Sequence, residues 1–186
     1  MKEAKKRGLS NIKTTPDALD LILTKKSREL FEKNEILTER DLDARYEIDL
    51  DRYTKKLQIE SRVMGDLATN HIIPTAVEYQ NLLITNVTGL KQVLKENEFE
   101  TLASEQMRVI REISERMTTI GRLVEQMVEA RRVANRRASA REQAGDYCSK
   151  VFPFFEQIRR EVDKLELVVS DEYWPLPKYR ELLFNR

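Results

Sequence analysis

The chain has little of what turns or tethers a backbone: five glycines, five prolines and one cysteine in 186 residues. The single cysteine, Cys148, excludes an intramolecular disulfide and fits a reducing compartment. The single histidine, His71, excludes a Ser/His/Asp centre at any other position. Its neighbours three and four residues away are Leu67, Ala68, Pro74 and Thr75, so a local histidine metal site is excluded too. The glycines stand singly, which rules out a glycine-rich phosphate loop. Charge of one sign is also lacking. Lys plus Arg is 33, Asp plus Glu is 32, and the net charge is +1, so no global field holds nucleic acid or anionic lipid. No apolar run approaches the ~20 residues of a membrane span. The charged start, Met1 to Arg7, is not followed by the apolar core of a signal peptide. The chain reads as soluble and cytoplasmic, with no membrane partner.

What is present is charge, at 35% of residues, and helical periodicity. The opening stretch to Asn11 reads as the end of a helix closed by Gly8, as if continuing from an upstream domain. Thr15, Pro16 and Asp17 have the order of a cap, a first-turn proline and an acidic first turn. A second short helix is predicted from Lys26 to Asn34, burying Leu30 and Phe31. Thr38 caps the first long helix, whose stripe runs Leu42, Tyr46, Leu50, Tyr53, Leu57, Met64, Leu67, His71. Pro74 removes a donor and crowds the carbonyl four residues before it, which predicts a kink before the pattern resumes at Val77. Lys95 to Glu98 reads as the turn. The next stripe, Ile110, Ile113, Met117, Ile120, Val124, Met127, alternates steps of three and four. A short link between long helices predicts an antiparallel hairpin. Gly121 lies inside the second helix, and close helix contact is the expected reason. Pro153 starts a further helix with Phe154, Ile158, Val162, Leu165 and Val168.

The predicted fold is therefore all-α, a long antiparallel hairpin kinked near Pro74 with shorter helices packed as a bundle. Residues 1–37 form N-terminal short helices, and 38–186 form the bundle domain with a docking tail at 171–186. In that tail Trp174, Pro175, Leu176, Pro177 and Leu183 are the structural residues. The prolines stiffen the chain, and the large apolar groups need cover.

The candidates for chemistry are few. Glu96, Glu98, Glu100, Asp49 and Asp51 sit on polar faces and in a turn, where solvated charge is expected. Cys148 reads as a small buried group between Tyr147 and Val151. The cluster Arg131, Arg132, Arg136, Arg137 and Arg141 is the best local candidate for phosphate or nucleic acid. At ~100° per residue it spreads around a helix instead of forming one stripe. A solvated or protein-contacting role is favoured, with no nucleic acid partner. No catalytic, cofactor or metal residue is assigned. From the residues alone the chain is a helical interaction domain.

Three segments resemble the C-terminal region of the type III glutamine synthetases. They are Lys2 to Leu9 with Thr14 to Ala18; Ile59 to Arg62 with Asn70 to Ala76 and Tyr79 to Asn81; and Asp171 to Phe184, with its Trp174-Pro175-Leu176-Pro177 run. Val128 to Arg131 and Lys164 to Leu167 also fit. The resemblance implies a parent enzyme that joins glutamate and ammonia using ATP and Mg or Mn. Its catalytic strands lie upstream, so no active-site residue carries over. It implies a structural role, docking on the catalytic domain and on sister subunits of a homo-oligomer. The alternative reading is an independent helical protein-interaction or regulatory module. Asn135 to Arg141 looks like an arginine motif of the family's catalytic domain. Here it falls in a stretch of high helix propensity and is expected to be helical, without that role.

Overall fold

A computed structural model describes residues 3 and 6–184. Met1, Lys2, Ala4 and Lys5, where the expected helix end begins, lie outside the described residues. Gly8 has φ +73°, the left-handed conformation expected of a helix-ending glycine. The described residues are helical and contain no strand. They fall into two compact units, one of residues 1–60 and 129–153 and one of 61–128 and 154–186.

The first unit opens with α1 (Thr15–Asp20), a 3-10 turn (Leu21–Leu23) and α2 (Lys25–Lys33). The α1 cap is Thr14, one residue before the expected Thr15. Its hydroxyl accepts the Asp17 N–H at 3.3 Å, and Pro16 is buried. α2 closes with the Ile36 N–H on the Phe31 carbonyl, and Glu35 takes φ 53° at the turn. Leu30 is exposed, against expectation, and Phe31 half-buried: this amphipathic turn buries no whole side chain. α3 (Glu39–Asp66) then starts in this unit. Thr38 and Asp41 bond reciprocally, Asp41 N–H to the Thr38 hydroxyl at 3.2 Å and Thr38 N–H to the Asp41 carboxylate at 3.0 Å. Those bonds hold the Asp41 carboxyl below the usual carboxylate range. Leu42, Leu50 and Leu57 of α3 are buried, with Ala134, Ala144, Tyr147 and Val151 of this unit's second segment.

In the second unit the helical path runs on through a π-helical segment (Leu67–Ile72) into α4 (Ile73–Val93). This is the structural form of the break expected near Pro74. The Ile73 N–H reaches five residues back to the Ala68 carbonyl, just before the residue that has no N–H. The wider turn also moves the apolar face. Ala68, Ile72 and Ala76 are buried, while His71, placed on the expected stripe, is exposed.

The expected turn from Lys95 to Glu98 is instead the cap and first turn of α5 (Glu96–Leu102), because Glu98 reaches back to the Lys95 N–H at 3.3 Å. The chain reverses at Leu94, whose backbone is extended. α6 (Ser104–Ala134) follows, and Ile113, Ile120, Leu123, Val124 and Met127 are buried along it. Gln80 donates to the Ile110 carbonyl at 2.8 Å and the Ser114 hydroxyl at 2.6 Å. Earlier in the chain, a Cβ on Gly65 would lie 3.6 Å from Val124 and 3.8 Å from Met127. Rising numbers on one arm meet falling numbers on the other, so the hairpin is antiparallel. Gly65, not Gly121, is the glycine at the close approach. A Cβ on Gly121 would meet nothing within 4 Å, because it points into open space.

α8 (Pro153–Glu166) buries Ile158 and Leu165. Arg116 bridges to it, with Glu112 at 2.6 Å on its own helix and Glu161 at 2.9 Å. The tail follows. Trp174 is buried, Leu176 is half-buried, and Pro175 and Pro177 are exposed. The Tyr173 ring lies 5.8 Å from Tyr79. Lys178 pairs with Asp171 and donates to the Glu166 carbonyl at 3.3 Å. α9 (Tyr179–Leu183) ends the described chain; the side chains of Tyr179 and Arg180 lie outside the description. The expected docking by Leu183 is corrected. Leu183 is 72% exposed, beside the exposed Leu182 and Phe184.

Candidate functional site

The arginine cluster belongs to the first unit, and its backbone is not the expected unbroken helix. α6 ends at Ala134, residues 135–139 form a loop, and α7 (Ala140–Asp146) starts afresh. Two side chains outweigh the helix propensity. Ser139 caps α7 by accepting the Glu142 N–H at 3.2 Å. Asn135 accepts two bonds on one oxygen, from the Tyr147 hydroxyl at 2.7 Å and from Gln58 at 3.0 Å. A second π-helical segment (Tyr147–Val151) follows α7, again with one residue, here Phe152, between it and a proline, Pro153.

The guanidinium groups are drawn in different directions. Arg132 pairs with Glu129 at 2.8 Å and Arg137 with Asp146 at 2.6 Å, while Lys150 takes the other Asp146 oxygen at 2.7 Å. Arg141 holds α1 through Asp20 at 2.8 Å and Asp17 at 2.7 Å. The Tyr46 hydroxyl donates to the same Asp20 carboxylate at 2.7 Å. Arg136 is exposed, and Arg131 is half-buried with its Nε buried and unbonded. Three of the five cations therefore lie within 3 Å of carboxylates of this chain, the geometry of crosslinks more than of a phosphate cradle.

The Arg141 guanidinium holds the Asp20 carboxyl below the usual carboxylate range. Burial, then the bond to Asp20, pushes the Tyr46 hydroxyl up to about 12 from 10.0. Asp20 is depressed, so its contribution is present above the unfolded value and is lost as pH falls through the folded one. Tyr46 is raised, so its contribution is present below 10.0 and is lost as pH rises through about 12. Asp20→Asn should cost about 1 kcal/mol near neutral pH, since both partners remain partly in water. The gap between wild type and variant should close as pH drops below about 4. Chemical denaturation at a series of pH values checks this; a gap that stays constant into acid refutes the role.

The other sequence candidates are accounted for individually. Asp49 pairs with Arg52 at 3.1 Å and Asp51 with Lys55 at 2.6 Å, while Glu98 caps α5. Asp66 accepts from Asn70 at 2.6 Å, not from His71. Cys148 is half-buried and not the buried group expected. Burial first, and then the neighbouring Cys148 thiol, pushes the Tyr53 hydroxyl above the ordinary tyrosine range. Among the described residues no three metal-binding side chains gather, and no helix is long and apolar enough to cross a membrane.

The whole-chain pattern, unlike this local chemistry, has clear relatives. Residues 1–91 match the family described as the glutamine synthetase C-terminal domain. A glutamine synthetase of Bacteroides fragilis (strain YCH46) is 46% identical over 184 residues, which is 99% of this chain and 25% of that protein. The chain belongs to the glutamine synthetase C-terminal domain family. A type-3 glutamine synthetase of Dictyostelium discoideum is 28% identical over 98% of the chain and 25% of its own length. A glutamine synthetase of Butyrivibrio fibrisolvens is 27% identical over 100% of the chain and 26% of its own length. The chain thus spans about a quarter of the relatives it matches. This agrees with the type III resemblance drawn from the residues.

Proposed function

We propose that this glutamine synthetase C-terminal domain serves as a structural element of a cytoplasmic glutamate–ammonia ligase. It docks on the catalytic part of that enzyme and supports contacts between subunits. ATP and Mg or Mn are held by the catalytic part, and this chain supplies no ligand to them. The observation that carries the reading is the near-complete alignment with enzymes four times as long. The exposed tail supports it. Leu182, Leu183 and Phe184 are 60%, 72% and 77% exposed, and three adjacent large apolar groups favour a partner over water.

The test uses a glutamine synthetase of the family lacking the matching quarter. Adding this chain should restore its assembly and activity. The triple variant Leu182→Asp, Leu183→Asp, Phe184→Asp should fail to do so while keeping its helix content. The chain alone should make no glutamine from glutamate, ammonia, ATP and magnesium. Glutamine formed by the chain alone, or a truncated enzyme indifferent to its addition, overturns the proposal.

A further inference from the structure

One surface is unlike the rest of this highly charged chain. From Tyr79 to Leu90, α4 carries no charged residue. Only Ala76 of α4 is buried. On its outward side Val77, Asn81, Ile84 and Thr88 follow one another at steps of four, three and four, and all four are exposed. That is the spacing of a helix-pairing seam. Val77 and Ile84, at 40% and 44% exposure, are its apolar members. Lack of charge at the centre of an exposed face is the mark of an interface core.

We infer that this seam pairs with the same seam of a second copy of the chain, antiparallel about a two-fold axis. The charges at its two ends select both the occupant and the direction. Glu78 stands beside Val77, and Lys91 stands one turn beyond Thr88. In an antiparallel pair Val77 lies opposite Thr88 and Asn81 opposite Ile84. Glu78 of each copy then comes to the end that carries Lys91 of the other, twice by symmetry. A parallel pair would set Glu78 against Glu78. The inference rests on the subunit-contact role proposed above and assigns it a surface. Four residues a side fall short of a standard stable interface, so the chain alone self-associates weakly.

Sedimentation of the reduced full chain from micromolar to near-millimolar concentration tests it. The expected result is a concentration-dependent dimer. Glu78→Lys and Lys91→Glu should each weaken it roughly ten-fold, by replacing two attractions with two repulsions. The double variant should restore it. The two residues lie about 20 Å apart along one helix, so restoration cannot arise within a copy. Ile84→Asp should abolish the dimer with helix content unchanged. A monomer throughout, or a dimer indifferent to the charge reversals, overturns the inference. The in-trans assembly test reports separately on docking to the catalytic part, so failure of one is distinguishable from failure of the other.

Discussion

Replacing Tyr147 with alanine should lower the stability of the chain by about 4 kcal/mol, in the range of large aromatic truncations in cores. Tyr147 is the largest fully buried side chain of the described residues, and it sits on the π-helical segment that precedes Pro153. Its ring fills the first unit, and its hydroxyl donates to Asn135 at 2.7 Å, fixing the loop between α6 and α7. Truncation leaves a cavity and frees that loop. Tyr147→Phe separates the two effects. It keeps the ring, and Asn135 keeps the Gln58 bond, so the cost should be about 1 kcal/mol. Denaturant unfolding measures both. Total stability of domains this size is about 5–15 kcal/mol, so the alanine variant should be visibly loosened, with faster amide exchange through α7. An alanine variant within about 1 kcal/mol of wild type would show that the first unit does not depend on this ring.

The same loop shows where a sequence becomes hard to read. The stripe from Ile113 to Met127 was legible because one period repeats over more than two heptads. Thr38 was legible because its capping partner lies only three residues on. Residues 135–139 were not. Their composition favours helix, and what overrides it is remote: Asn135 is held by Tyr147 and Gln58, twelve and 77 residues away. Pro74 announced a disturbance, but not that a five-residue hydrogen-bond step would absorb it and turn His71 outward. Gly121 was visible as an anomaly, whereas the glycine that matters for contact, Gly65, depends on what the opposite helix presents. Of the candidate site, the arginine positions were legible and their ion pairs were not, since Asp20 reaches Arg141 across 121 positions of sequence.

The tail divides at Lys178, and two substitutions on either side of that point should behave differently. Trp174→Ala should cost about 3 kcal/mol, because the indole is buried with 9% of its surface exposed. Its stretch of chain is held by the Trp174 backbone N–H on the Ser170 carbonyl at 3.1 Å, by Lys178 clasping Asp171 and by the Tyr173–Tyr79 ring pair. Pro175 and Pro177 limit the unfolded chain, so less entropy is lost when this stretch is fixed. Leu183→Ala should change stability by no more than about 0.5 kcal/mol, since a side chain already in water loses no burial. Trp174 is the only tryptophan, so its fluorescence reports the docked half directly. Emission should be blue-shifted and shielded from soluble quenchers in wild type, and should stay so in Leu183→Ala. Red-shifted, freely quenched emission in wild type, or equal stability losses in the two variants, would show the tail to be undocked. With Trp174 buried in the second unit, the mostly exposed apolar groups beyond Lys178 should add little to its stability. Any need for them must come from outside the chain, which is why the acidic triple variant should disturb assembly in trans and leave unfolding of the chain unchanged.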